Sequence, residues 1–194
     1  MIRVLFVCHG NICRSPMAEF IMKDLVKKAG LEQEFHIESA ATSTEEIGNP
    51  VYPPARRKLA QHGISCEGKR ARQLRREDYG DWDLLIGMDQ ANIRNMRRIC
   101  GGDSEGKIHL MMEYAGGRKG SPREPSEAGR VGRGEARERS EFSPQAETEK
   151  SGLCFDEVAD PWYTGDFDTT WRDVLAGCQG LLTVLRQAKE PVVR

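Results

Sequence analysis

The sequence predicts an α/β fold in which a parallel sheet is covered by helices on both faces. Three observations carry that expectation. The chain opens on an apolar run, Ile2 to Val7, broken only by Arg3. Short apolar runs of the same kind recur, each followed by a stretch with apolar residues at helical spacing. Glycines or prolines punctuate these stretches, so strands and helices alternate, which implies right-handed βαβ units rather than hairpins.

The first run is short, rich in Val, Ile and Phe, and stopped by Gly10-Asn11, which marks a buried strand. Past Pro16, the residues Met17, Phe20, Ile21, Leu25 and Val26 fall at helical spacing. Pro16 suits a first helical turn, where its missing N–H costs nothing, and Lys27-Lys28-Ala29-Gly30 gives cations and a glycine stop. Phe35 to Ala40 is the second strand, and residues 41 to 54 form a polar loop. A helix follows from Pro54 to His62, closed by Gly63. Asp83 to Met88 is the third strand; Asp89 caps a helix from Gln90 to Ile99 that ends at Gly101-Gly102. Lys107 to Met111 is the fourth strand. Phe167 to Ala188 is a long final helix, with Trp171, Val174, Leu175, Cys178, Leu181, Leu182 and Leu185 turned inward.

The 194 residues fit a single domain spanning 1–194, interrupted by one insertion. Residues 116–152 hold eight basic and seven acidic side chains, with Val131 and Phe142 as the large apolar ones. Such a segment cannot bury enough apolar surface to offset its ordering entropy, so a disordered insertion is expected there. A net charge of −1 argues against a nucleic-acid partner, and the lack of a long apolar run argues against membrane insertion. The N-terminus has no signal-peptide pattern. Six cysteines, at 8, 13, 66, 100, 154 and 178, show neither a disulfide framework nor zinc-ligand spacing. A cytoplasmic monomer that needs no metal is the expectation.

The chemistry gathers between the first strand and the first helix, in Cys8 to Ser15. Backbone N–H groups of a tight loop entering a helix converge on one concavity, and the helix dipole adds positive charge there. Gly10 permits close approach of backbone to ligand, and Asn11 tolerates the left-handed region. Arg14 offers a planar fork to two phosphate oxygens. Cys8 faces the same bowl, whose field favours its thiolate; a thiolate beneath a bound phosphate is a nucleophile aimed at phosphorus. A strand-end cysteine is ordinarily a small core residue, and Gly-Asn ordinarily a turn. Thiol, Gly-Asn and arginine confined to one strand–helix junction outweigh that reading. A nucleotide cradle lacks its Gly-Lys-Ser/Thr.

The segment Val7-Cys8-His9-Gly10-Asn11-Ile12-Cys13-Arg14-Ser15-Pro16 resembles the signature of the low molecular weight protein tyrosine phosphatases. The resemblance continues through Glu38-Ser39-Ala40-Ala41-Thr42, Arg70-Ala71-Arg72-Gln73-Leu74, Ile86-Gly87-Met88-Asp89 and Asp160-Pro161-Trp162-Tyr163. It implies a three-layer fold on a four-stranded parallel sheet in the order 2-1-3-4. It further implies hydrolysis of protein phosphotyrosine through a phosphocysteine, without a cofactor. Tyrosine-phosphorylated proteins would be the partners.

On that resemblance Cys8 attacks, while the backbone of His9, Gly10, Asn11, Ile12, Cys13 and Arg14 holds the phosphate. Asp160 protonates the leaving phenol and then activates water. By sequence alone Asp156, Asp166 and Asp168 rival Asp160; the resemblance separates them. Trp162 and Tyr163, with Ile12, would wall a slot for an aryl ring. Asn11, Ser15 and Ser39 are implied as supports of the loop. Lys69 stands where many relatives have His, which puts that support in question at one place. Cys13 is close enough in the chain to capture an oxidised Cys8 as a disulfide, although a packing cysteine is the plain alternative. His36, His62 and His109 lack ligand spacing.

Three other readings stay open. An arginine phosphatase of the same family tends to carry Thr where this chain has Ile12, and a bulky apolar residue favours an aryl substrate. An arsenate reductase on this scaffold would need a relay of cysteines, and Cys66 and Cys100 are far apart. A phosphopeptide-binding module would need neither nucleophile nor acid.

Overall fold

The computed structural model describes residues 1–116 and 157–188. The expected insertion at 116–152, apart from Gly116, lies outside the described residues, as do Cys154 and Asp156.

Four strands, β1 (Ile2–Cys8), β2 (Phe35–Ala41), β3 (Leu84–Gly87) and β4 (Ile108–Leu110), form one sheet in the order β2-β1-β3-β4. Every pairing is parallel, and the register sets Cys8 beside Ala41 at the carboxyl edge. This is the fold class that the sequence predicts and the strand order that the family resemblance implies.

The central strand shows why the sheet has two layers around it. Val4, Leu5, Phe6 and Val7 are each fully buried. With a side-chain period of two, Val4 and Phe6 face one core and Leu5 and Val7 the other. The first core is built with α1 (Arg14–Lys28), α2 (Pro53–Gln61) and α7 (Phe167–Gln187). The second is built with α4 (Gln90–Cys100), through Ile93, Met96 and Cys100. A strand buried on both faces needs the continuous apolar run seen at its start.

Element boundaries fall within about a residue or two of expectation. Three short helices were not legible in the sequence: α3 (Asp78–Asp81), α5 (Met111–Tyr114) and α6 (Pro161–Thr164). On α7, Trp171, Val174, Cys178, Leu181 and Leu182 are buried as expected, and Leu175 and Leu185 pack partly buried against the same core. Gly177 and Gly180 let α5 lie directly on α7: a Cβ at Gly180 would stand 1.8 Å from the Tyr114 carbonyl oxygen. Among the described residues no helix is long and apolar enough to cross a membrane.

Candidate active site

The strand edge, the loop and the first turn of α1 bring the sequence-predicted residues together. Cys8 ends β1 almost fully buried. Its Sγ lies 3.0 Å from the Ser15 hydroxyl and accepts the Asn11 N–H at 3.3 Å. Asn11 is the one non-glycine described residue in the left-handed region, at φ 57°. Its side chain is what holds it there: Nδ2 donates to Ser15 Oγ at 2.9 Å and to Ser39 Oγ at 2.8 Å, and Oδ1 accepts the Arg72 N–H at 3.1 Å. Three bonds to three elements fix a conformation that would otherwise cost about 1–3 kcal/mol. Gly10 is favoured on different grounds, since a Cβ there would stand 3.1 Å from the Glu46 side chain, which would have to shift by a few tenths of an ångström.

Arg14 is 4% exposed, in the first turn of α1. Its Nη1 is 2.7 Å from Asp89 Oδ2 and its Nη2 is 2.7 Å from Asp160 Oδ2. Burial works against its charge, but Cys8, Asp160 and Asp89 outweigh burial and hold the guanidinium above its ordinary pKa. Asp89 also caps α4, accepting the Asn92 N–H on its other oxygen at 2.6 Å. The sequence marked Asp89 as a cap and missed its second task, because Arg14 lies 75 positions away.

Asp160 is the N-cap of α6, accepting the Trp162 N–H at 3.0 Å. The rivals within the described residues are engaged elsewhere. Asp166 caps α7 through the N–H groups of Asp168 and Thr169, and Asp168 pairs with Lys58. Only Asp160 of these three lines the cleft over Cys8. That cleft is about 230 Å3, with buried Cys8 and Arg14 at its base and exposed Trp162 and Tyr163 at its mouth. Ile12 and Cys13 line it too, and Tyr52 backs Trp162 at 5.5 Å between ring centroids. His9 Nε2 meets Glu45 at 3.1 Å on the exposed rim of the same cleft, and the residue's backbone belongs to the loop. Glu45 and Glu46, which sequence reasoning passed over, also line the cleft. The Cys13 thiol is pushed up to about 12 by burial and by the neighbouring Cys8, so it stays protonated.

Behind Asn11 runs a chain of polar groups that the sequence left in question. Ser39 Oγ donates to Glu19 Oε2 at 2.6 Å, and Lys69 Nζ meets the same oxygen at 2.7 Å. Lys69 also donates to the Ser39 carbonyl at 3.1 Å, so a lysine at this position completes the support. Glu19 resembled any surface carboxylate on an amphipathic helix, yet it is 3% exposed. Burial would raise its pKa; Lys69 and Lys23 reverse that and hold it below the ordinary carboxylate range. A depressed folded value means that this pair stabilises the fold above about pH 4.3, the unfolded value, and loses that effect as pH falls further. Thermal melts from pH 7 to 3 should therefore fall less steeply for Glu19→Gln than for wild type. At pH 7, Lys69→Met should cost somewhat less than the roughly 3–5 kcal/mol of a broken buried pair, because Lys23 stays 2.5 Å from Oε1. Equal slopes in the two melts would remove Glu19 from the account.

A cysteine sulfur that accepts a loop N–H, a buried cationic fork and a carboxyl at the lip are the groups that transfer of a phosphoryl group to sulfur requires. Comparison with known proteins agrees. The family model described as "Low molecular weight phosphotyrosine protein phosphatase" matches residues 3–129. The low molecular weight protein-tyrosine-phosphatase YfkJ of Bacillus subtilis is 34% identical over 190 residues, covering 98% of this chain and 99% of the relative. Its crystal structure superposes with a TM-score of 0.74 over 98% of both chains. The low molecular weight phosphotyrosine protein phosphatase of Schizosaccharomyces pombe is 43% identical over 115 residues, 59% of this chain and 73% of its own length. The Streptococcus pyogenes low molecular weight protein tyrosine phosphatase is 32% identical at a TM-score of 0.69, covering 95% of this chain and 93% of its own.

Proposed function

The chain belongs to the low molecular weight phosphotyrosine protein phosphatase family, and from that premise we propose that it hydrolyses phosphotyrosine in proteins through a phosphocysteine on Cys8. One observation supports this most: nucleophile, fork and acid face a single cleft, with Asp160 Oδ2 held 2.7 Å from Arg14 Nη2.

The Cys8 thiolate attacks phosphorus, and the phosphoryl oxygens lie against the loop N–H groups from His9 to Arg14 and against the guanidinium. The bond to the phenolic oxygen breaks as Asp160 gives that oxygen its proton. The Asp160 carboxylate then takes a proton from water, which attacks the phosphocysteine and releases phosphate and the thiolate. The protein's contribution is mostly fixed geometry and electrostatic stabilisation. Ile12, Trp162 and Tyr163 are assigned to the substrate ring, and Asn11, Ser15 and Ser39 to the shape of the loop. Cys13 is assigned a protective role: a sulfenic acid on Cys8 would condense with its thiol, losing water and forming a disulfide. Cys8, Cys13, Cys66, Cys100 and Cys178 are all free thiols, which fits a reducing cytoplasmic setting, and the protein is assigned there as a monomer acting on phosphotyrosyl proteins.

The test compares a phosphotyrosyl peptide with phosphoarginine on the purified protein. The aryl ester should be favoured by on the order of 10² in kcat/KM, and the reverse preference would give the activity to arginine phosphatases. Asp160→Asn belongs in the same experiment. Its rate on phosphotyrosine should fall by roughly 10²–10⁴, the worth of a general acid, and by less on nitrophenyl phosphate, whose leaving oxygen needs less help. A wild-type rate in that variant would take the acid role from Asp160.

The same reading makes 1–194 one phosphatase domain, with 116–152 inserted into it. Deleting 118–150 should leave the thermal midpoint and the nitrophenyl phosphate rate nearly unchanged, since that stretch offers so few large apolar side chains. A large drop in the midpoint would make the segment part of the core.

A further inference from the structure

A second cleft shares no residue with the first and is larger, about 540 Å3, within the range of small-ligand sites. It lies between α2 and the segment 63–70 that follows it. Arg56, Lys69 and Arg70 bring three cations to its lining, against a single carboxylate from Glu67. Among the described residues neither Arg56 nor Arg70 makes an ion pair. Buried Val51 and Ile64 supply an apolar wall beside these charges. Unpaired guanidinium forks next to an apolar surface fit an anionic head on an apolar body.

The cleft touches the catalytic loop at two points. Lys69 is shared: its ammonium holds Glu19 and the Ser39 carbonyl, and through Ser39 Oγ it bears on Asn11. Val51 precedes Tyr52, whose N–H donates to the Ile12 carbonyl at 2.9 Å. An anion held by Arg56 and Arg70 would compete with Glu19 for the Lys69 charge, since all three cations line the one cleft. Glu19 would keep Lys23 on its other oxygen, so the fold tolerates the exchange while Ser39 loses its fixed partner geometry.

We propose that this cleft binds a small organic anion with an apolar body, and that binding lowers turnover by drawing Lys69 away from Glu19. The proposal adds an effector site to the phosphatase reading, and the uninhibited rate in the same assay tests that reading separately.

The probe is 2-naphthoate. Calorimetry is run with the catalytic loop saturated by orthovanadate, so that only the second cleft is open. Binding should persist in wild type and vanish in Arg56→Gln and in Arg70→Ala. With nitrophenyl phosphate as substrate, saturating naphthoate should lower kcat by about fivefold or more, with KM moving little. Arg56→Gln, which adds no anion to the cleft, should turn over normally and be insensitive to naphthoate. Lys69→Gln should still bind naphthoate but show no further loss of kcat, a result that a merely structural lysine would not give. Absence of binding at millimolar naphthoate, displacement by vanadate, purely competitive inhibition, or binding that leaves kcat untouched would each overturn the proposal.

Discussion

Cys8→Ser should lose turnover of phosphotyrosine and of nitrophenyl phosphate by on the order of 10⁵–10⁶, the scale on which a nucleophile's removal is felt. A serine hydroxyl at this place has the same Ser15 and Asn11 partners that Sγ has at 3.0 and 3.3 Å, yet an alcohol oxygen is a far weaker nucleophile than a cysteine sulfur. The site holds no base aimed at that hydroxyl, because Asp160 is turned to Arg14. Anion binding should survive, since the N–H cradle and the fork are untouched. The measurement pairs initial rates with a phosphate titration on the same sample. Residual turnover within a hundredfold of wild type would mean that water, not sulfur, attacks phosphorus. Loss of phosphate binding together with the rate would mean that the loop had collapsed, and a melt would reveal it.

How far this site could be read in advance depended on sequence distance. The junction from Cys8 to Ser15 was legible because strand, turn residues and helix start are local signals within one short stretch. The parallel sheet followed from alternation, whereas its order came from family resemblance, since strand order is a long-range property that composition does not encode. α3, α5 and α6, four residues each, are too short to display a helical period. Asp-Pro by itself is only a turn signal, and here it opens a capped helical turn whose cap faces the cleft.

The hidden parts of the site are charges that meet across the fold. Asp89 and Glu19 each looked locally ordinary, one a helix cap and the other a helix-surface acid. Their roles exist only because β1 and α1 bring Arg14 to Asp89, and the edge beside β2 brings Lys69 to Glu19. Lys69 is instructive for the same reason. A departure from the usual residue suggested a broken network, but a long side chain ending in an ammonium reaches both the carboxylate and the carbonyl. Separation of Asp160 from Asp166 and Asp168 likewise needed coordinates, because all three are helix-capping or first-turn acids.

Arg14→Lys should be almost as damaging as loss of the nucleophile, at roughly 10³–10⁵ in kcat/KM, the range found for arginines that stabilise phosphoryl transfer. The guanidinium here does two things at once. It meets Asp89 through Nη1 and Asp160 through Nη2, each at 2.7 Å, and so its plane is fixed before substrate arrives. An ammonium is a point charge on a shorter reach and cannot keep both carboxylates while presenting two donors to phosphate. Stability should suffer far less than rate, because Asp89 still accepts the Asn92 N–H and α4 keeps its cap. Expected together are a large fall in rate on both nitrophenyl phosphate and phosphotyrosine, weaker phosphate binding, and a thermal midpoint within several degrees of wild type. Retention of the rate within tenfold would show that the backbone cradle alone holds the transferring group, and Arg14 would then be left as the tether that keeps Asp160 over Cys8.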